Sequence, residues 1–565
     1  MTVTNSKGRP KKQKLRNSEY YDMQNTFDEL HAKATENKSF CDLLRIISCE
    51  NNILLAYRNI KNNGGSITPG TDGRTIKHYK EWDDAKFVKY FQAKLANYQP
   101  KSVRRTEIPK EGQLGKTRPL GIPCMDDRII QQCILQVLDP ICEAKFHPHS
   151  YGFRPNRSTS HAIARTMFLM KNSQLHYVVG IDIKGFFDNV NHGKLLKQMW
   201  NMGIRDKNLI SILGRILKSE IKGIGMPTKG TPQGGIISPL LSNIVLNELD
   251  WWLSNQWETI KTKYPLVAKP NRLKALKSSN LKEFYFVRYA DDFKILCRDY
   301  ETAQKIYAAI RLWLMERLGL EISTEKSKIT NVRKGKTEFL GFALFVKKKG
   351  NTHVVRSNIS DKAIATMKTT LKGQIKAIQK ETTPQNVNIL NSMILGMHNY
   401  YNTATRCNLN FNEIDFIVSK SLNNRLKNCM KKVKGNKPET LPPKSRTYQK
   451  FYGRYKGKPK IVAGVHIFPI YGCTFKIPLG FSRDINNYTP VGRNLIHSKL
   501  HSAYHLVKYL LNNKAYDKSV EYNDNRISLM AGQYGRCGIT GQPLIIGDME
   551  CHHKKPKELN VPFPL

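Results

Sequence analysis

Acidic residues are scarce in this chain: 45 Asp and Glu stand against 92 Lys and Arg in 565 residues, a formal charge of +47. Such an excess repels itself until a polyanion neutralises it, so a nucleic-acid partner is expected and a merely basic face on an unrelated enzyme is disfavoured. Long apolar runs are missing too. None approaches the roughly 18–20 residues that span a bilayer, and the N-terminus carries no apolar signal segment, so neither membrane insertion nor secretion is expected. The eleven cysteines are an odd number, mostly scattered singly, which fits reduced thiols rather than a disulfide framework. No internal repeat is present.

The cations are spread along the whole length, with dense patches at 7–16, 347–349, 427–437 and 444–460. Residues 1–24 form a basic, apolar-poor tail expected to be disordered when free. Residues 25–100 read as a mainly helical N-terminal extension, with Leu43, Leu44, Ile47, Ile53 and Leu54 near a 3.6 period. From 101 to 350, strand-like and helix-like runs alternate, which predicts an α/β body. Within it 251–283 is polar and Lys-rich and reads as an insertion. Helical periodicity resumes over 355–435, a basic region covers 436–530, and 531–565 is a short tail with Cys537, Cys551, His552 and His553.

The chemistry is written most clearly at Phe284–Phe293, F-Y-F-V-R-Y-A-D-D-F. Two adjacent aspartates inside an aromatic and β-branched run repel and desolvate each other, so a divalent cation held by oxygen ligands is the natural partner. A second apolar run, Tyr177–Ile181, ends in Asp182. Asp182, Asp291 and Asp292 are therefore expected to be catalytic and to hold two Mg²⁺ ions for phosphoryl transfer, the reaction of a nucleotide polymerase. Phe187, five residues after Asp182, sits at an offset where a ring packs under a nucleotide sugar and excludes a 2′-hydroxyl; Phe186 or Phe187 serves equally as ordinary core. Lys229–Leu241 (K-G-T-P-Q-G-G-I-I-S-P-L-L) predicts a tight turn presenting Gln233 to a nucleotide or template. Lys110 and Arg118 flank an expected hairpin and suit a triphosphate, the arginine as a bidentate fork.

Taken in order, T-P-G-T-D-G (68–73), R-P-L-G-I-P (118–123), S-Y-G-F-R-P-N-R-S (150–158), G-I-D-I-K-G-F-F-D-N-V (180–190), G-T-P-Q-G-G-I-I-S-P (230–239), Y-A-D-D-F (289–293) and F-L-G-F (339–342) closely resemble the group II intron-encoded reverse transcriptases, or maturases. The resemblance spans residues 60–345. It implies a right-hand polymerase of fingers, palm and helical thumb that copies an RNA template into DNA from a DNA primer or target, using deoxynucleotides. It also implies binding of group II intron RNA in a ribonucleoprotein that assists splicing and intron mobility. The family's metal aspartates map onto Asp182, Asp291 and Asp292, and its nucleotide-binding positions onto Arg118, Phe187 and Gln233. Lys326 or Lys328 matches a proton donor to pyrophosphate, and Phe339, Leu340 and Gly341 match the primer grip.

What the resemblance implies beyond the palm is looser. G-M-H-N-Y-Y (396–401) resembles part of the maturase thumb, in which Tyr400, Tyr401 and Arg406 would contact RNA, unless the tyrosines are core. The tail E-C-H-H-K-K-P (550–556) resembles the first half of an H-N-H endonuclease. There Cys537 would open a knuckle, His553 would act as base and His552 or a neighbour would hold Zn²⁺ or another divalent ion. Thr540 stands where the C-x-x-C partner of Cys537 belongs, and about ten residues follow the histidines, so an inactive remnant is expected. A cytoplasmic, nucleoid-associated ribonucleoprotein or an organellar one fits this reading. The alternatives are an RNA-folding maturase with little polymerase activity, another class of bacterial reverse transcriptase, and an RNA-dependent RNA polymerase, the last disfavoured by Phe187.

Overall fold

The computed structural model describes residues 17–109, 117–262, 268–432, 443–496, 504–515, 517–538 and 540–547, with 266, 549 and 551 singly. The N-terminal extension is helical, as its periodicity predicts: Gln24–Thr35, Leu43–Ile47, Glu50–Lys61 and Asp84–Ala96. Its apolar faces pack on the long helix Met125–Lys145, whose residues Ile129, Ile130, Ile134, Val137, Leu138 and Ile141 are fully buried. Each such side chain contributes about 1.5–3 kcal/mol of transfer free energy. Between these helices lies the finger hairpin, strands β1 (Arg104–Pro109) and β2 (Thr117–Ile122), paired from Arg104↔Ile122 to Pro109↔Thr117. The loop carrying Lys110 lies outside the described residues.

The palm is a four-stranded antiparallel sheet in the order β4-β5-β3-β6, where β3 is Tyr177–Ile181, β4 Phe284–Tyr289, β5 Asp292–Cys297 and β6 Lys328–Asn331. Helices Thr159–Asn172, Ser238–Asn255 and Tyr300–Trp313 pack against it, so β4 is buried over five of its six residues. This covering explains why β4 reads as a continuous apolar run rather than an alternation. Three further strands, β7 (Thr337–Phe339), β8 (Phe342–Lys349) and β9 (Thr352–Ile359), form a second antiparallel sheet that leads to the thumb.

Three helices, Asp361–Lys380, Pro384–Tyr401 and Cys407–Arg425, make the thumb. Ser360 and Thr383 cap the first two by accepting the Ala363 and Asn386 amides, and Ile364, Met367, Leu371, Ile375 and Ile378 form the buried stripe of the first. A small sheet of β10 (Met430–Lys432), β11 (Lys460–Val462) and β12 (Val465–His466) belongs to the same packed unit. Asn391 donates to the His466 carbonyl at 2.8 Å and accepts the Phe468 amide at 2.7 Å, while His398 meets the Tyr452 hydroxyl at 2.9 Å and the Ile470 carbonyl at 2.8 Å.

Three boundaries drawn from composition shift. Residues 446–473 close the thumb, because Tyr448, Tyr452, Val462 and Phe468 supply core that the surrounding lysines conceal. The first residues of the expected insertion 251–283 belong to the palm: helix Ser238–Asn255 runs into it, with Leu253 and Trp257 buried. The described parts 484–496 and 517–532 return to the N-terminal extension. There Arg493 grips Asp28 with two bonds of 2.7 Å, and buried Asp524 accepts from Tyr21 (2.7 Å), Arg58 (2.8 Å) and Lys61 (3.0 Å). All eleven cysteines are free thiols, and among the described residues no helix is long and apolar enough to cross a membrane.

Candidate active site

The β4–β5 hairpin closes through Tyr289↔Asp292, leaving Ala290 and Asp291 as a two-residue turn in which Ala290 takes φ 55°. A left-handed conformation is strained by roughly 1–2 kcal/mol for a residue bearing a Cβ, so something must hold it. The holder is Arg288, whose guanidinium donates to the Ala290 carbonyl at 2.8 Å. That guanidinium is itself buried, forked onto Asp250 at 2.7 and 2.6 Å, and bonded to Asn243 Oδ1 at 3.0 Å. The S-Y-G-F-R-P segment backs the same turn. Tyr151 donates its amide to the Arg288 carbonyl at 2.9 Å, and Gly152 lies so close that a Cβ there would sit 2.2 Å from the Ala290 nitrogen. Arg154 locks this segment by forking onto Glu143 at 2.7 and 2.9 Å.

The β3–β5 register pairs Ile181 with Phe293, so Asp182, the residue that follows β3, stands across from Asp292. The three sequence-identified aspartates are therefore brought together. Burial raises the carboxyl of Asp291, and Asp292 and Asp182 raise it further against the opposing charge of Arg118. Burial and Asp182 likewise raise that of Asp292, opposed by Lys294. Lys326 Nζ lies 3.4 Å from Asp182 Oδ1, whereas Lys328 is an exposed strand residue opposite Gly180. The register thus separates two lysines that the sequence could not.

Arg118 is exposed on β2 and its charge reaches Asp291. Phe186 is buried and Phe187 is only partly so, their rings 5.3 Å apart edge to face, so core and surface roles fall on different residues of the pair. The Gly-rich loop is bonded to both neighbours: the Thr231 amide donates to the Phe187 carbonyl at 2.7 Å, and the Gln233 carbonyl accepts the Gly121 amide of β2 at 2.8 Å. Gly234 makes that approach possible, since at φ +122° a Cβ would meet the Gly121 oxygen at 2.4 Å. The Phe339–Phe342 turn carries positive φ at Leu340 (52°) and Gly341 (78°), the geometry of a type I′ hairpin. Its Leu340 amide bonds to Asp292, tying the turn to the aspartates. Tyr400 donates to the Leu340 carbonyl at 3.2 Å and Tyr401 packs on Phe342 at 5.2 Å, so both tyrosines brace the turn, Tyr400 from an exposed position.

Comparison with known proteins agrees with this geometry. Residues 108–344 match the family model described as reverse transcriptase (RNA-dependent DNA polymerase). Protein YkfC of Escherichia coli (strain K12) is 33% identical over 339 residues, 57% of this chain and 88% of that one. The group II intron-encoded protein LtrA of Lactococcus lactis subsp. cremoris is 30% identical over 453 residues, 68% and 74% of the two chains. A putative COX1/OXI3 intron 1 protein of Saccharomyces cerevisiae is 30% identical over 368 residues, 58% of this chain and 42% of its own length. The chain belongs to the group II intron-encoded reverse transcriptases.

The reverse transcriptase is an RNA-directed DNA polymerase with the right-hand fold, and the chemistry of its family uses divalent metal. Among the described residues no group of three or more His, Cys, Asp or Glu side chains is gathered closely enough to hold a metal ion by itself. Mg²⁺ takes oxygen ligands, commonly one or two carboxylates together with substrate phosphates and water. Hard oxygen donors, two with raised carboxyls, fit such an ion.

Four residues of this site were given no role by the sequence reading: Arg288 and Gly152, which lie inside motifs it used, and Asp250 and Lys294, which do not. Lys294 Nζ lies 3.2 Å from Asp292 Oδ1, and its side chain is only 12% exposed, in the space left by Gly180 directly across the sheet. An arginine and a lysine in an otherwise apolar hairpin were the available signals. In the tail, Cys537 sits in a turn where its sulfur accepts the Thr540 amide at 3.5 Å, Cys551 is partly buried, and His552 and His553 lie outside the described residues.

Proposed function

We propose that Asp182, Asp291 and Asp292 hold two Mg²⁺ ions and extend a DNA primer along an RNA template. When bound, the ions activate the primer 3′-oxygen and neutralise the leaving pyrophosphate. Arg118 grips the triphosphate from β2, and Gln233 contacts the base or template from its glycine-bounded loop. Phe187 packs under the sugar and excludes a 2′-hydroxyl. Lys326, beside Asp182, donates a proton to pyrophosphate, and Phe339–Gly341 seats the primer terminus. The partners are deoxynucleotides, the RNA template, a DNA primer or target, and the group II intron RNA, whose splicing and homing the thumb supports within a ribonucleoprotein.

The observation that carries this reading is the β3–β5 register, which sets Asp182 against Asp292. Primer extension on an RNA template with deoxynucleotides and Mg²⁺ tests it. Asp291→Ala with Asp292→Ala should abolish extension, and Phe187→Ala should raise ribonucleotide incorporation relative to deoxynucleotide. Extension that survives the double substitution would remove this site from the reaction. Splicing of the cognate intron should persist in the same variant, since the RNA-binding surface does not need the aspartates.

A further inference from the structure

The palm sheet has two ends, and the aspartates occupy one. The pairing Tyr177↔Asn331 places the 331–336 turn at the other. There the Val332 amide donates to the His176 carbonyl at 2.9 Å, and the Val346 amide to the Val332 carbonyl at 2.8 Å, which aligns β8 with that turn. Lys347, Lys348 and Lys349 continue β8 past this point to a tip closed by Lys349↔Thr352. At ~3.3 Å per residue, the tip stands roughly 23 Å beyond the Phe339–Phe342 turn.

Residues 328–356 carry eight lysines and arginines against one acid, Glu338. Lys334, Lys336, Lys347, Lys348 and Lys349 are exposed, and among the described residues none makes an ion pair with a carboxylate. At the β4 edge of the same end, Arg298 and Lys277 both pair with Glu283. The unneutralised charge of this region is carried by the 331–336 turn and by the β8–β9 hairpin whose strand β8 is aligned with it. Five like charges held close repel one another, and a phosphate backbone relieves that repulsion while releasing its own counterions.

We propose that this ridge is a docking surface for a folded RNA helix, gripping its sugar-phosphate backbone at a distance from the aspartates. It rests on the reading that the protein binds its intron RNA, and it names a surface for that contact. Because the ridge lies remote from the primer turn, a short template–primer duplex at the aspartates does not reach it.

The test compares wild type with K334A/K336A/K347A/K348A/K349A. Binding of a structured group II intron transcript is measured from 50 to 200 mM KCl, with primer extension on a short unstructured template in parallel. The variant should bind the transcript at least tenfold more weakly at 100 mM and lose about one unit of log–log salt slope per lysine. Primer extension should stay within about twofold. Replacement by arginine at the same five positions should keep the affinity. Unchanged transcript affinity and slope would overturn the ridge, as would an equal loss in short-template extension or a loss confined to duplex DNA. Wild type failing to bind the transcript above its general nucleic-acid affinity would instead overturn the underlying reading.

Discussion

The network under the catalytic turn can be broken in two ways that separate stability from activity. Arg288 and Asp250 are each 1% exposed, so Asp250→Asn leaves a guanidinium buried without its counter-charge. Breaking one partner of a buried pair costs about 3–5 kcal/mol. At roughly 2–4 °C per kcal/mol for a domain of this kind, the melting midpoint should fall by about 6–20 °C. The paired replacement Asp250→Leu with Arg288→Met removes both charges and leaves no orphan, so its stability should return to near wild type. It also removes the donor to the Ala290 carbonyl, releasing a turn that carries Asp291. Primer extension by the double variant should therefore stay depressed, by about 100-fold if the carboxylates drift by an ångström. Calorimetry and single-turnover extension measured on the same samples decide it. A double variant that melts like wild type and also polymerises like wild type would refute the positioning role of Arg288.

Gly152→Ala puts a Cβ where the Ala290 nitrogen stands and should depress extension to a similar degree without loss of RNA binding, as a filter assay would report. Lys294→Met removes a cation 3.2 Å from Asp292 and should lower the Mg²⁺ concentration for half-maximal extension by roughly tenfold, the scale of screened charges at the edge of a protein. Because the folded carboxyls of Asp291 and Asp292 are raised, the native state binds more protons than the unfolded chain between about pH 4 and those raised values. Their contribution to stability without divalent ions should therefore fall as pH rises through that window. Asp291→Asn with Asp292→Asn should remove both this dependence and the rise in melting midpoint that added Mg²⁺ gives at neutral pH.

The aspartates were legible because a buried strand has no other use for adjacent like charges, and the glycine-rich loop because its residues admit so few conformations. Lys326 and Lys328 were inseparable in sequence since only the register of β6 says which one turns toward Asp182. Arg288 was read past as part of a strand, its partner Asp250 lying 38 positions upstream inside an apolar helix with no shared period. The packing of residues 446–473 against the thumb was hidden for a different reason. Between residues 434 and 460 lysine and glycine dominate composition, while the few aromatic residues that fasten β11 and β12 to the thumb carry the packing energy. The return of residues 517–532 to the N-terminus depends on contacts such as Tyr21 with Asp524, 503 positions apart, which no local pattern encodes.

Replacing Mg²⁺ with Fe²⁺ and generating hydroxyl radicals at the bound ion maps the metal site on the intact protein. Backbone scission should appear both next to residue 182 and within 289–293, and Asp182→Asn should abolish both sets of cuts. Cuts at only one of these two segments would contradict a shared metal centre.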